Sequence, residues 1–379
     1  MLAGKKILIV HSSAELYGSD RCLISTAKGL VANGMNLHVT VPSTGPLVEE
    51  LTNAGAIIHI LDPVVFRREV LSATGLVKFI LKSPLAIWQL VRLIRRGRFD
   101  LVHTNTGVII GGAVAAGITR TPHIWQFREV LDEFGWLLRV YEPFVLLLSK
   151  RIIYISVVVQ NQFSLKGSKL KGNIINDGIP VKKFDSTRSE QMGGRFVLTT
   201  VGRLAPYKGQ DVFLKALALA VQNGINLEAY IVGDVYGNRY GYREELKQLA
   251  SKLGLESRVK FVGFQTRIQP FLEKCNLFVI PSIRPEGLGI VILEAMMSGR
   301  AVIATAGGGA AEVISNRKDG ILIPPGDYNA MAEAIIQLAR NEELRKSLAS
   351  GGKRKAKEYF SEDVMIKKLL NLYEHVIVE

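Results

Sequence analysis

Glu286 and Glu294 stand eight positions apart, with Gly287 and Gly289 directly after the first. Ahead of them, Asn276-Leu277-Phe278-Val279-Ile280 is an apolar run of strand length, and Ile290 to Met297 is apolar at helical spacing. A strand, a glycine-bearing turn and a helix start make an anion site, because unpaired backbone amides and the helix dipole both face the turn. Glu286 falls in that mouth, and Glu294 lies roughly one to two turns into the helix. One carboxylate can therefore meet a reacting sugar while the other reaches hydroxyls further along the same ligand. A plain loop leading into a buried helix would account for the glycines and aliphatics, but not for two acids bracketing an apolar helix start.

These residues carry a resemblance. Glu-x7-Glu followed by a small-residue helix end resembles the donor-site signature of the retaining GT-B glycosyltransferases, in particular glycosyltransferase family 4. Val201-Gly202-Arg203-Leu204 and then Tyr207-Lys208-Gly209 resemble the family's Gly-Arg-Leu and Lys-Gly. Gly308-Gly309-Ala310-Ala311-Glu312 resembles its Gly-Gly-x-Pro-Glu, and the Asp319 to Asp327 stretch resembles its late Asp-Gly-x-x-x-x-Pro-Gly-Asp turn. Asn176-Asp177-Gly178-Ile179 is similar to its interdomain Asn-Gly-Ile/Val-Asp in altered order, and Tyr17-Gly18-Ser19-Asp20 to its Gly-Gly-x-Glu loop, with Tyr17 for the first glycine. Gln126-Phe127-Arg128-Glu129 resembles its His-x-Arg-Glu, with Gln126 in the His position. The resemblance covers nearly the whole chain, more strongly over residues 195–330 than before residue 150.

The resemblance implies a sugar transferred with retention from a UDP- or GDP-sugar. It assigns donor binding to Gly18, Arg203, Lys208, Gly263, Phe264, Glu286, Gly287, Leu288, Gly289, Ile290 and Glu294, and catalysis to Glu286, Arg203 and Lys208. An Arg can grip phosphate oxygens bidentately and a Lys supplies a compact charge, so Arg203 and Lys208 together would neutralise a leaving diphosphate. On the acceptor side the candidates are His103, Asn105, Gln126 and Arg128, with His103 and Asn105 expected to face the cleft at a strand end. Gln126 can hydrogen-bond a sugar hydroxyl but cannot take its proton.

Other chemistries lack their residues. No Gly-x-x-x-x-Gly-Lys-Ser/Thr loop occurs, and no complete Gly-x-Gly-x-x-Gly follows the first apolar run. There is no Asp-x-Asp pair, and the six histidines form no ligand-spaced cluster, so no metal and no cofactor are expected. Cys22 and Cys275 lie far apart in apolar stretches and read as reduced core thiols of a cytosolic protein. Leu137 to Leu148 is interrupted by Arg139 and Glu142, so nothing reads as a bilayer span, and the Ile7 to Val10 run is too short for a signal peptide.

What must position these residues is a strand–helix alternation that runs the length of the chain. Strands are expected at Ile7–Val10, Leu37–Val41, Ile57–Leu61, Leu101–His103, His123–Phe127 and Ile152–Ile155. A second series falls at Phe196–Val201, Leu227–Val232, Val259–Val262, Leu277–Ile280, Ala301–Ala304 and Gly320–Ile323. With 379 residues and 48% hydrophobic content the chain can bury two cores. The expected fold class is α/β: two Rossmann-like parallel-sheet domains facing across a cleft, with ligands at the strand C-termini. Domains are expected at 1–180 (acceptor side) and 195–358 (donor side), joined by a linker from Val181 to Arg195. A C-terminal helix over 359–379 would pack back on the N-terminal domain.

The net charge of +14 is uneven, with 22 Lys/Arg against 13 Asp/Glu in residues 1–185. Phe66 to Arg98 holds eight bases (Arg67, Arg68, Lys78, Lys82, Arg92, Arg95, Arg96, Arg98) against one acid, Glu69. Phe66, Leu71, Leu76, Phe79, Ile80, Leu85, Trp88 and Leu93 interleave with them. Basic amphipathic helices with aromatic residues lie in anionic membrane surfaces, although an ordinary solvated helix face has the same composition. Nucleic acid is not expected as a partner, because no recognition fold or stacking platform accompanies the charge. The expectation is a cytoplasmic transferase, peripheral on the inner membrane face, acting on a lipid-linked or glycan acceptor. A sugar-nucleotide epimerase or hydrolase of the same fold, or a non-catalytic sugar-nucleotide-binding protein, are the alternatives.

Overall fold

The computed structural model describes residues 2–66, 70, 72–130, 135–184, 194–235 and 241–378. The chain forms two compact units: unit 1 comprises Met1–Gly178 with Glu362–Glu379, and unit 2 comprises Ile179–Ser361. Arg67, Arg68, Glu69 and Leu71 of the basic stretch, and residues 185–193 of the expected linker, lie outside the described residues. Val181–Phe184, the start of that linker, is a helical turn with Phe184 buried.

Unit 1 is built on β1 (Lys6–Val10), β2 (Asn36–Val41), β3 (Ile57–Ile60), β4 (Leu101–Thr104), β5 (His123–Phe127), β6 (Arg151–Tyr154) and β7 (Gly172–Ile174), all parallel, in the order β3-β2-β1-β4-β5-β6-β7. Unit 2 carries β8 (Phe196–Val201), β9 (Leu227–Val232), β10 (Val259–Gly263), β11 (Leu277–Ile280), β12 (Ala301–Thr305) and β13 (Ile321–Ile323), again parallel, in the order β10-β9-β8-β11-β12-β13. Each expected strand falls within one residue of its observed limits, because parallel strands covered on both faces are continuous aliphatic runs. The exception is β7, which sequence reading misses: it is three residues long, contains Gly and Asn, and sits at the sheet edge.

Both sheets reverse their strand order once, between β1 and β4 and between β8 and β11. At such a reversal the loops leaving the two strands diverge to opposite faces, so a crevice opens at their C-terminal ends. The two crevices are where His11 and Asn105, and Gly202 and Pro281, leave their strands.

The helix Glu362–Val378 follows all of unit 2 in sequence but packs on the Gly18–Ala32 helix of unit 1. Its Met365, Ile366, Leu369, Leu372, Tyr373 and Val376 are buried in the same core as Ile7, Ile9, Leu23 and Leu30. Gly29 permits the approach, since a Cβ there would come within 2.4 Å of the Ile366 side chain. Both cysteines are buried and neither forms a disulfide. Among the described residues, no helix is long and apolar enough to cross a membrane.

Candidate active site

In unit 2 the crevice between β8 and β11 is lined by three loops that are fixed to one another. After β8 the chain runs through exposed Arg203 into the 3-10 turn Pro206–Lys208. Gly209 follows with φ +69°, and a Cβ there would lie 2.0 Å from the Pro281 carbonyl oxygen, so only glycine lets the two loops meet. Ile283 N then donates to Tyr207 O at 2.8 Å, joining the segments that leave β8 and β11.

That junction brings Lys208 and Glu286 together. Lys208 Nζ lies 2.6 Å from Glu286 Oε2, with 21% and 27% of the two side chains exposed. The Ser282 hydroxyl donates to the other oxygen, Glu286 Oε1, while Thr305 Oγ1 donates to Ser282 O at 2.6 Å. From behind, Gly309 N donates to Glu286 O at 2.8 Å. Gly308 and Gly309 lie so close to the backbone of Glu286, Gly287 and Leu288 that a Cβ on either would clash with it. The Gly-Gly of the Gly308–Val313 helix is thus a buttress for the Glu286 loop. Ser282 went unnoticed in the sequence, although its place at the exit of β11, four residues before Glu286, was visible there.

Gly289 takes φ +78° and caps the helix Ile290–Met297. Glu294 lies on this helix, 1% exposed, among buried Ile292, Leu293 and Ala295. Leu288 is also buried. Beyond β9 and β10, Gly233 N donates to Gly263 O at 2.8 Å, and half-exposed Phe264 follows Gly263. Arg203 O accepts from Gln210 Nε2 at 2.8 Å, which fixes the backbone beneath its guanidinium. The structure therefore places Arg203, Lys208, Gly263, Phe264, Glu286, Gly287, Leu288, Gly289, Ile290 and Glu294 in one unit, at or beside the C-terminal ends of neighbouring strands.

Unit 1 holds the remaining candidates, and those of the acceptor side lie in its interior. His103, Asn105 and Gln126 are all buried. His103 Nδ1 bonds Tyr373 Oη at 2.6 Å, tying β4 to the Glu362–Val378 helix. Burial, then the nearby Arg128 and His123, lower the His103 pKa to about 3. His123 is likewise held down to about 4 by burial. Histidines this hard to protonate are interior hydrogen-bonding groups, so the correction for His103 is that its ring braces the fold.

Asn105 and Arg128 join a buried polar group that sequence reading did not assemble. Arg128 Nη1 donates to both Asp177 oxygens at 2.6 and 2.8 Å. Burial works against the Arg128 charge, and the Asp177 carboxylate outweighs it, leaving the guanidinium pKa above its ordinary value. Asn105 Nδ2 meets His11 Nδ1 at 3.0 Å, and His11 Nε2 meets Asp20 Oδ1 at 2.8 Å. Asp20 Oδ2 in turn accepts from Tyr17 N at 2.8 Å, immediately before Gly18. Glu129, the last residue of the Gln126–Glu129 stretch, accepts from Gly107 N at 3.2 Å, and burial pushes its carboxyl pKa up. Among the described residues, no group of three or more His, Cys, Asp or Glu is placed to hold a metal ion.

A family model described as "Glycosyl transferases group 1" matches residues 181–355, and one described as "Glycosyltransferase Family 4" matches residues 17–181. An uncharacterized glycosyltransferase of Methanocaldococcus jannaschii is 29% identical over 284 residues, which is 73% of this chain and 76% of that protein. The capsular polysaccharide biosynthesis glycosyltransferase CapM of Staphylococcus aureus is 25% identical over 321 residues, covering 78% of this chain and 81% of its own. The crystal structure of Anabaena HepE in complex with UDP-glucose is similar with a TM-score of 0.83 at 26% identity, over 98% of this chain and 99% of that one.

Proposed function

The chain belongs to the glycosyltransferases of group 1 and family 4 and has their GT-B fold, and on that premise we propose that it moves a hexose-type sugar, with retention, from a nucleotide diphosphate to a hydroxyl of a lipid-linked or glycan acceptor. The observation that carries this reading is the Lys208–Glu286 pair, set where β8 and β11 diverge and beside the glycine-capped Ile290–Met297 helix. A cation, a carboxylate and helix amides within one crevice suit a donor that is anionic at its diphosphate and hydroxylated at its sugar. Arg203 and Lys208 take the diphosphate, whose charge grows as the glycosyl bond breaks. Glu286 meets the sugar near its anomeric centre. Glu294 binds the ribose hydroxyls, and Gly263 and Phe264 stand by the base. Charge neutralised in this way needs no divalent ion.

On the acceptor side, His103 and Gln126 near the ends of β4 and β5, with Asn105 and Arg128 just beyond them, support the loops that leave those strands. The Ala73–Gly97 helix is the membrane-facing element, placing the enzyme at the cytoplasmic face beside a lipid-linked acceptor. HepE was crystallised with UDP-glucose and CapM is named for capsular polysaccharide biosynthesis, which supports a nucleotide-sugar donor and a polysaccharide product.

The test incubates the protein with UDP- and GDP-sugars and reads released nucleotide with and without lipid-linked and glycan acceptors. Acceptor-dependent release that survives EDTA is expected. Release without acceptor would mark a hydrolase, sugar interconversion an epimerase, and binding without turnover a non-catalytic protein. Loss of transfer in EDTA with recovery on adding magnesium would overturn the metal-free account.

A further inference from the structure

The Glu286 carboxylate has two partners that differ in how firmly they are held. Lys208 reaches Oε2 from the end of a long flexible stem, and its side chain is partly open to solvent. The Ser282 hydroxyl donates to Oε1 from a buried position just beyond β11. Lysine is therefore the partner that an anionic ligand can draw away, and serine is the one that stays.

The backbone around Ser282 is fixed from two sides. β11 pairs with both β8 and β12, so the chain leaves a strand held along each edge. Thr305 Oγ1, at the end of β12, donates to Ser282 O at 2.6 Å. On the other side Ile283 N donates to Tyr207 O at 2.8 Å, and the Pro281 carbonyl is packed against Gly209, where a Cβ would lie 2.0 Å from its oxygen. The backbone that carries the carboxylate is held as well. Gly309 N donates to Glu286 O at 2.8 Å, and a Cβ on Gly308 would clash with the Glu286 backbone. Between two backbones so held, the side-chain torsions of Glu286 are what is left to set, and the serine hydroxyl sets them.

We infer that Ser282 is a positioning residue for transfer: its hydroxyl keeps the Glu286 carboxylate in place once a diphosphate has drawn Lys208 away. This rests on reading Glu286 as the group that meets the sugar, and it gives Ser282 no contact of its own with the donor. Without ligand, both partners hold the carboxylate. With the diphosphate on Lys208, only Ser282 does, so its loss is felt in turnover and not in nucleotide binding.

The experiment measures kcat and donor KM of acceptor-dependent nucleotide release, and calorimetric affinity for UDP and GDP. It compares the full chain as wild type, Ser282→Ala, Glu286→Ala and the double variant. Ser282→Ala should lower kcat about tenfold, the worth of one hydrogen bond to a charged group, with UDP and GDP affinity within about twofold of wild type. In the Glu286→Ala background the same change should have no further effect, because no carboxylate is left to position. Wild-type kcat in Ser282→Ala overturns the inference. So does an equal loss in both backgrounds, or a fall in nucleotide affinity in step with kcat, since either makes Ser282 a support of the loop alone. Those results leave the Arg203–Lys208–Glu286 reading intact wherever Glu286→Ala is itself impaired. A wild type that transfers from no UDP- or GDP-sugar, or a Glu286→Ala variant as active as wild type, fails that reading and this role with it. If Ala at this buried position unfolds the chain, Thr305→Val decides. That variant releases the Ser282 carbonyl while keeping the shape of the threonine side chain, and it should lower kcat with nucleotide affinity kept. Wild-type kcat for it would then overturn the role.

Discussion

Lys208 and Glu286 neutralise one another while about a quarter of each side chain meets solvent. An ion pair that open is worth about 0–1 kcal/mol, so an incoming diphosphate can displace the carboxylate from the lysine at little cost. Glu286→Gln should therefore bind UDP or GDP at least as tightly as wild type, while transfer falls roughly 10- to 100-fold. Glu294→Ala should show the opposite pattern, weakened nucleotide binding by a similar factor through loss of a buried charged acceptor. Near-normal turnover in both variants would remove these assignments. A second residue-scale effect concerns pH. Folded His103 and His123 resist protonation down to about 3 and about 4, whereas the unfolded rings take a proton near 6.5. The unfolded state binds more protons throughout that interval, so their contribution is complete above about pH 7 and falls as pH drops. Between pH 7 and 5 each histidine should cost about 2 kcal/mol of stability. Urea unfolding of the full chain at the two pH values measures this, and coincident midpoints would contradict it.

Among the elements, the Ala73–Gly97 helix combines features that a solvated helix rarely combines. It buries Ala86, Leu90, Val91 and Ile94 on one side and leaves Leu81 74%, Leu85 62% and Trp88 54% exposed on another. Lys78, Lys82, Arg92, Arg95 and Arg96 flank that apolar stripe, and the Arg92 guanidinium lies 5.4 Å from the centre of the Trp88 ring. Exposed apolar surface rimmed by cations suits an anionic bilayer. Each base near such a surface contributes about 1 kcal/mol, screened within a Debye length. Charge reversal at Arg92, Arg95 and Arg96 should release the protein from phosphatidylserine vesicles, with UDP affinity unchanged. Leu81→Ser with Leu85→Ser should weaken binding even at low salt. Equal sedimentation of wild type with neutral and anionic vesicles would return this face to ordinary solvated surface. The contrast with the polar chain of unit 1 shows what a sequence displays. Glu286, the glycines and Glu294 are consecutive along one loop and helix, so their spacing announces them. His11, Asn105 and Arg128 stand at the ends of three different strands and meet only through the pairing of β1 with β4 and β4 with β5. Sequence spacing carries no trace of that adjacency.

At the scale of the molecule, the two sheets were legible because buried parallel strands are aliphatic throughout, and their reversals point to the crevices. The destination of the final helix was expected only by resemblance, since its amphipathic pattern suits many surfaces. Tyr373, buried against His103, is the residue that commits it to unit 1. A chain ending at Ser361 should therefore expose the core around Ile7, Leu23 and Leu30, bind a hydrophobic dye, and lose one cooperative step of its thermal unfolding. Dye binding and calorimetry equal to the full chain would refute this. The arrangement also has a consequence in time. Residues 362–378 leave the ribosome only after every residue of unit 2, so the unit begun first must be completed last. Through the whole interval of synthesis its Gly18–Ala32 helix carries an uncovered apolar groove, a place where a chaperone can wait.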